Sequence, residues 1–325
     1  MDFEYETLDQ DHAPQSAAEQ TTAWELILDF LNRRMGDGRV PRAVPRPTER
    51  PPTLIPDPPV CQGMDRVSLD ASDGVARVTL DNPDLRNALT EDVADGLVDA
   101  MERVAESDAR CVVVAGNGPA FCAGGDVNAM VDGIEDDRRD PADARAAVER
   151  TASAVTAVAG CELPTVAAVE GPAYGAGGAL AIACDVVLAS DAARISFGFR
   201  RLGLVVDSGT SYLLPRIVGE STAKELVFTG DMLDAPEAEA LGLFNRVYPA
   251  ETFDEELEAF LEEVATGPTR ALVASKRLLE AGHQRSLPDA VRAETDAQVE
   301  AAQTADHTEG VHAFVEKREP EFEGE

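Results

Sequence analysis

The sequence predicts an α/β protein that contains parallel strands and ends in a helical region. Short runs of apolar residues are separated by longer stretches in which apolar residues recur every three or four positions. Two of the short runs lie on either side of a turn at Asp73-Gly74, which predicts a hairpin. A strand, a helix and another strand then follow in succession, an order that predicts parallel pairing of the two strands.

The individual elements can be placed from Arg66 onwards. Thr90 is predicted to cap a helix, because Glu91 and Asp92 follow in its first turn. The predicted strands cover residues 66–69, 75–80, 111–115, 165–169 and 186–189. Further helices are predicted at 143–158, 255–264 and 269–279. Three others have one predicted end each: one ends at Ala183, one begins after a cap at Ser221, and one ends at Gly242.

These patterns divide the chain into three parts. Residues 1–63 are polar and proline-rich, which predicts a mostly disordered extension. Residues 64–265 are predicted to form the α/β core, in which the charged segment 135–140 forms a solvated loop. Residues 266–325 are predicted to form a C-terminal helical region.

Charge and composition exclude several classes of function. The chain has 61 acidic and 28 basic residues and a net charge of -33, which opposes binding to nucleic acids or to anionic membranes. We interpret this acidity as a solvation device for a high-salt cytoplasm, and this halophilic hypothesis predicts unfolding or aggregation at low salt.

The sequence also favours a cytoplasmic protein without a metal site. No apolar run approaches the roughly 20 residues of a membrane-spanning helix, and the first residues lack the pattern of a signal peptide. The five cysteines are scattered and the four histidines lie far from every glycine-rich motif, so neither set has the spacing of metal ligands.

Two segments rich in glycine and alanine lie where a strand meets a helix. They are AFCAGGDV at 120–127 and EGPAYGAGGALAIACD at 170–185. Small residues leave backbone N–H groups accessible, and two such groups converging on one point form an oxyanion hole, which can stabilise the charge on a thioester oxygen. Each segment alone is equally well explained by close packing of a helix on a strand. A dinucleotide site is disfavoured because GAGGAL lacks the third glycine of that fingerprint.

With two further segments, these motifs resemble those of the enoyl-CoA hydratase/isomerase, or crotonase, superfamily. The further segments are NPDLRNALT at 82–90 and ISFGFRRLGLVVDSGTSYLLPRIVG at 195–219. The resemblance implies a crotonase-type spiral of ββα units with a C-terminal helical trimerisation region, assembled as a homotrimer or homohexamer. It also implies an acyl-CoA thioester as substrate, with coenzyme A present as part of that substrate and no other cofactor.

The same resemblance assigns roles to individual residues. The oxyanion donors would be the backbone N–H groups of Gly125 and Ala176. Lys276 is either a ligand of a CoA phosphate or an ordinary surface charge, and the second interpretation is favoured. The substrate- and CoA-binding residues that the resemblance implies are Arg86, Ala88, Ala123, Gly124, Gly125, Asp126, Val127, Phe199 and Lys276.

Asp207 is the candidate for proton transfer. Hydratases of this family use two glutamates to activate water, and the matching positions here are Ala179 and Phe199, neither of which can move a proton. Asp207 occupies a third position from which family members extend a carboxylate towards the acyl chain. One carboxylate suits a double-bond isomerase, because it can take a proton from the α-carbon and return it to the γ-carbon.

Three alternatives stay open at this point. Asp207 could cap the helix that follows it. The protein could be a hydratase with a non-standard water site, or an acyl-CoA-binding protein without catalytic activity. If Phe199 lies opposite Asp207, its apolar ring would raise the pKa of the carboxyl and make it a better base.

Overall fold

A computed structural model describes residues 66–135 and 140–325 of the chain. The predicted extension at 1–63 and most of the predicted loop at 135–140 lie outside the described residues, and those predictions stay untested. The described strands are β1 (Val67–Ser72), β2 (Val75–Leu80), β3 (Cys111–Gly116), β4 (Thr165–Val169), β5 (Pro172–Tyr174), β6 (Val186–Ser190), β7 (Arg194–Ser196), β8 (Leu233–Asp234) and β9 (Arg246–Tyr248).

These strands form two sheets. The larger has the order β1-β2-β3-β4-β6-β9, and only its β1–β2 pair is antiparallel. The predicted hairpin and the predicted parallel pairing are therefore confirmed. Asp73 and Gly74 both have positive φ, as the tight turn between twisted strands requires. The smaller sheet, β5-β7-β8, begins directly after β4.

The predicted helices are present, most of them one to three residues longer at an end than predicted, and one predicted cap is wrong. Thr90 caps the first helix by accepting a hydrogen bond from the N–H of Val93. The helix predicted to be capped by Ser221 begins at Glu220, so Ser221 lies inside its first turn. The described helices are α1 (Glu91–Ala105), α2 (Val127–Glu135), α3 (Pro141–Ala159), α4 (Ala176–Ala183), α5 (Thr210–Val218), α6 (Glu220–Thr229), α7 (Ala235–Ala240), α8 (Phe253–Ala265), α9 (Thr269–Gly282), α10 (Leu287–Ala301) and α11 (Ala305–Glu316).

The central strands β3, β4 and β6 of the main sheet are largely buried on both faces, as apolar parallel strands require. On β3, Val112 and Val114 belong to the apolar cluster that contains α1, α3 and α4. Cys111 and Val113 point to the opposite face and belong to a second cluster with Phe253 of α8. Because α4 follows β4 and β5 and is buried along its whole length, its N-terminus is held rigidly inside the molecule.

The C-terminal residues are tied back to the core. Asp306, with only 4% of its surface exposed, accepts hydrogen bonds from the backbone N–H groups of Glu323 and Gly324. Arg110, just before β3, donates to the carbonyl oxygen of Phe322. Among the described residues, no helix is both long enough and apolar enough to cross a membrane.

Candidate active site

The side chain of Asn87 stabilises the turn that leads into α1. Its side chain is fully buried, and its Oδ1 accepts a hydrogen bond from the N–H of Asn82. Its Nδ2 donates to the carbonyl oxygens of Asn117 and Ala120, just before the first glycine-rich segment. These hydrogen bonds offset the cost of burying the amide and fix the turn against the loop.

The first glycine-rich segment runs beside that turn. The N–H of Ala123 donates to the carbonyl oxygen of Arg86 at 2.9 Å, and the N–H of Leu89 donates to that of Gly124 at 2.7 Å. Arg86 and Ala88 therefore lie next to the segment with which they are predicted to bind coenzyme A. Their role in binding stays a prediction.

Asp126 organises the end of the same segment. Its Oδ1 accepts hydrogen bonds from the backbone N–H groups of Asn128 and Ala129, at the start of α2. This side chain thus holds the first turn of the helix that begins at Val127. The contacts of Asp126 are those of a residue that anchors the backbone.

A short parallel pairing brings the two glycine-rich segments together. Cys122 forms a bridge with Ala173, and its backbone N–H and C=O both hydrogen-bond to the second segment, at 3.2 and 3.0 Å. Paired segments that run in the same direction stay side by side. Three residues beyond the bridge, the segments reach Gly125 and Ala176, so the predicted oxyanion donors come from adjoining stretches of backbone.

Gly124 shows how closely these stretches approach. A Cβ atom at this position would lie 2.4 Å from the carbonyl oxygen of Tyr174 and 3.2 Å from the backbone nitrogen of Ala176. Its φ of +89° is also one that other residues rarely adopt. Glycine is required here because any side chain would push the two segments apart.

The N–H groups of Gly125 and Ala176 are available for a ligand. Ala176 is the first residue of α4, and the first N–H groups of a helix have no acceptor within it. In the bridge between Leu89 and Gly125, the N–H of Leu89 donates to the carbonyl oxygen of Gly124, which leaves the N–H of Gly125 out of that hydrogen bond. In the described part of the chain, neither N–H donates to a backbone carbonyl oxygen in a turn, a loop or a cap. The N-terminus of α4 adds positive partial charge, so an oxyanion placed there would be stabilised.

The two positions that the resemblance matches to the family's glutamates are apolar and buried. Ala179 lies in the first turn of α4 and is fully buried. Phe199 is 7% exposed, and its ring lies about 3.9 Å from where a Cβ of Gly175 would stand. The hydroxyl of Tyr174 donates to the carbonyl oxygen of Gly198 and so fixes the backbone next to Phe199. Beside the second glycine-rich segment there is thus a hydrophobic wall in place of a carboxylate that could activate water.

Asp207 stands in the chain between Phe199 and α5, the helix that packs against α4. Its Oδ1 is buried and has no hydrogen-bond partner among the described residues. Burial raises the pKa of its carboxyl, and the hydroxyl of Ser208 lowers it in part. The interpretation of Asp207 as a helix cap is wrong, because α5 begins only at Thr210, after Gly209, and has no side-chain cap.

Other buried polar atoms in the same turn also lack partners. The described atoms of this kind are Asp207 Oδ1, Ser208 Oγ, Thr210 Oγ1 and Asn128 Nδ2. Three of the four lie within residues 207–210, and such atoms are rare in folded proteins. Asp207 could be selected from the sequence, whereas Ser208 could not, since a hydroxyl residue at a helix start ordinarily indicates a cap.

The ammonium group of Lys276 forms an ion pair inside the protein. Its Nζ lies 2.7 Å from Asp185 Oδ2 and 3.0 Å from the carbonyl oxygen of Leu163, and its side chain is only 9% exposed. Asp185 Oδ2 also accepts hydrogen bonds from the backbone and hydroxyl of Thr165. The alternative of an ordinary surface charge is wrong because the side chain is buried, and these contacts favour a structural role over phosphate binding.

Replacing Lys276 should therefore cost stability. Lys276→Met leaves Asp185 without its cation, and we expect the free energy of unfolding to fall by about 2–4 kcal/mol in chemical denaturation at high salt. Arg277→Met is the matched control, because Arg277 pairs with Glu162 at the exposed surface. Its effect should stay within about 0.5 kcal/mol. An unchanged stability with a large loss of CoA affinity would instead identify Lys276 as a phosphate ligand.

The remaining candidates for metal or acid–base chemistry do not converge. Within residues 66–135 and 140–325, no group of three or more His, Cys, Asp or Glu side chains could hold a metal ion. Glu170 has an exposed side chain, and the pKa of its carboxyl is raised, first by the loss of solvent around it and then by Asp254. The structure does not connect it to the oxyanion donors.

Comparisons with known proteins agree with this geometry. Residues 70–325 match a family profile described as enoyl-CoA hydratase/isomerase. The chain is 37% identical over 258 residues to a probable enoyl-CoA hydratase from Rhodobacter capsulatus, covering 79% of this chain and 98% of that protein. It is 34% identical over 253 residues to the 1,2-epoxyphenylacetyl-CoA isomerase of Escherichia coli, covering 77% of this chain and 95% of that protein.

Solved structures support the same relationship. The crystal structure of enoyl-CoA hydratase from Bacillus anthracis covers 80% of this chain and 100% of its own, with a TM-score of 0.75 and 29% identity. The predicted crotonase-type α/β fold with C-terminal helices is confirmed. Trimerisation through those helices stays a prediction.

Proposed function

Because the chain belongs to the enoyl-CoA hydratase/isomerase family, we propose that it moves the double bond of an enoyl-CoA with Asp207 as the only proton carrier. One observation carries this proposal. The side chain of Asp207 is partly buried, with an unpartnered carboxylate oxygen, while Ala179 and Phe199, which the resemblance matches to the two water-activating glutamates, are buried and apolar. A site with one carboxylate can shuttle a proton but lacks the usual pair for adding water.

The reaction follows from these groups. The ionised Asp207 takes a proton from the α-carbon of a 3-enoyl-CoA, and the electron pair moves onto the thioester oxygen. The N–H groups of Gly125 and Ala176 stabilise the resulting enolate. Asp207, now protonated, returns the proton to the γ-carbon, which leaves a 2-enoyl-CoA. No other reactant enters, so the mass of the substrate is unchanged.

Burial of Asp207 supports its role as a base. A carboxyl whose pKa is raised holds a proton more strongly and is better matched to a weakly acidic carbon. Since only the ionised form can accept the proton, activity should fall as the pH drops through this raised pKa. The acidic limb of kcat/KM should therefore lie above the usual range for aspartate.

Hydration is the second candidate function. It is favoured by the names of relatives, such as the probable enoyl-CoA hydratase of Rhodobacter capsulatus. The relative from Escherichia coli, in contrast, is named as an isomerase. If this chain hydrates 2-enoyl-CoA, Asp207 must activate water alone beside the apolar Phe199, a wall that binds water poorly.

Product analysis separates the two functions. We expect wild-type protein, incubated at high salt with 3-enoyl-CoA or 2-enoyl-CoA, to change the ultraviolet absorbance that reports conjugation with the thioester. Mass spectrometry should show no added water. A mass gain of one water would replace isomerisation by hydration, and unchanged substrate in every assay would indicate an acyl-CoA-binding protein without catalytic activity.

Self-association through the C-terminal helices is part of the same proposal. Four large apolar side chains on α9, α10 and α11, close to the helix ends, are each more than 70% exposed. They are Leu279, Leu287, Phe314 and Val315. An apolar surface of this kind is typical of an interface. Sedimentation equilibrium in high salt should give a homotrimer or homohexamer. A monomer at all concentrations would contradict it.

A further inference from the structure

Ser208 has a backbone conformation that serine rarely adopts. Its φ is +50°, and the next residue, Gly209, has a φ of +78°. Glycine bears the left-handed region without penalty, whereas a residue with a Cβ is strained there. Strained residues of this kind persist where the surrounding structure fixes them and are concentrated at functional sites.

The side chain of Ser208 gives no structural reason for that strain. It is 3% exposed, and its hydroxyl has no hydrogen-bond partner among the described residues. A buried hydroxyl without a partner is itself unfavourable. Glycine at this position would relieve the backbone and remove the unpartnered group, so the serine is disfavoured twice if it serves only folding.

The neighbouring carboxylate has the chemistry that the hydroxyl of Ser208 lacks. Asp207 Oδ1 is an acceptor without a donor, and Ser208 Oγ is a donor without an acceptor, in one turn closed by a hydrogen bond of 2.9 Å from Thr210 N to Asp207 O. The two atoms do not hydrogen-bond each other in this structure, so the Ser208 side chain must turn about its Cα–Cβ bond for its hydroxyl to reach the carboxylate. The two groups therefore complement each other.

We propose that Ser208 is a positioning residue that acts through Asp207, its buried hydroxyl donating to the carboxylate and holding it ionised for proton transfer. The inference rests on the proposed function, in which Asp207 is the base. It explains how a carboxylate that burial drives towards its neutral form stays available as a base, and why this position is not glycine.

The charged side chains on the elements around this turn have partners other than Asp207 where their contacts are known. The helix α4, which packs against α5, carries no titratable side chain. The pKa of Asp207 is raised by burial and lowered by the hydroxyl of Ser208. The guanidinium groups of Arg200, Arg201 and Arg216 donate to backbone carbonyl oxygens. The other charged side chains on adjoining α6 are Glu220, Lys224 and Glu225, of which Lys224 pairs with Glu220.

Two variants separate the hydroxyl from the backbone strain. Ser208→Gly and Ser208→Ala both remove the hydroxyl, and only the glycine relieves the positive φ. In both, we expect the acidic limb of kcat/KM to move up by about one pH unit, which lowers the rate about tenfold at pH values below the limb. The thermal midpoint should be higher for Ser208→Gly than for Ser208→Ala.

A control and a reference variant make the result decisive. Thr210→Val removes another buried, unpartnered hydroxyl of the same turn with little change in shape, and its acidic limb should match that of wild type. If the limb stays in place in both Ser208 variants while Asp207→Asn is inactive, the role of Ser208 is overturned and the proposed function stands. If Asp207→Asn keeps full activity, the proposed function fails, and the inference fails with it.

Discussion

Asp207→Asn is expected to lower kcat/KM for double-bond isomerisation by about 10²–10⁴-fold, the range that a single proton-transfer group can supply. The amide has nearly the shape of the carboxylate but cannot accept a proton from carbon. Because Gly125 and Ala176 provide their donors through the backbone, the affinity for an acyl-CoA should change by less than about threefold. Steady-state kinetics and calorimetric titration with a saturated acyl-CoA measure the two effects separately.

The same change should not weaken the fold. The folded protein raises the pKa of Asp207 above its unfolded value, so it binds a proton more tightly than the unfolded chain. Stability from this group is therefore present at low pH and is lost as the pH rises through the raised pKa. At neutral pH, the neutral amide avoids that loss, and the thermal midpoint of Asp207→Asn should equal or exceed that of wild type.

Asp296→Asn is the matched control for that experiment. Asp296 lies on α10 with an exposed side chain, so the same chemical change should leave both kinetics and stability unaltered. Full activity of Asp207→Asn beside an unchanged control would show that another group carries the proton. A fall in the thermal midpoint of Asp207→Asn would show that the carboxylate is structural.

The sheet could be predicted from the sequence because its signals are local. Strand β4 was predicted without error, and α4 was predicted to end at Ala183, where it does end. Apolar runs, glycine turns and the cap at Thr90 each act within a few residues. The backbone donors at Gly125 and Ala176 could be proposed only because two local motifs matched a family pattern together.

Longer-range contacts could not be predicted in this way. The hydrogen bonds of Asn87 join residues 30 and 33 positions apart, and nothing in the neighbouring sequence marks that side chain as a brace. The ion pair of Lys276 with Asp185 spans 91 positions. Asp207 was open to interpretation as a cap because its sequence resembles one, and only the left-handed backbone at Ser208 places α5 further on.

Gly177 packs so closely against Cys122 that a side chain at this position should lower both activity and stability. A Cβ at Gly177 would stand 2.1 Å from the carbonyl oxygen of Cys122 and 2.7 Å from its carbonyl carbon. Both atoms belong to the backbone at the bridge that joins the glycine-rich segments, so neither can move independently. Gly177→Ala must therefore separate the first turn of α4 from the first segment, and with it the N–H of Ala176 from that of Gly125.

We expect Gly177→Ala to lower kcat/KM by about 10²–10³-fold, as the loss of one oxyanion donor does, and to cost about 1–3 kcal/mol of stability through overpacking. Gly282→Ala adds the same methyl group where no atom lies within 4 Å, and it should alter neither property much. Kinetics and denaturation of both variants test the point. Full activity in Gly177→Ala would mean that the enolate is stabilised elsewhere, because the two donors cannot both keep their places once that methyl group is present.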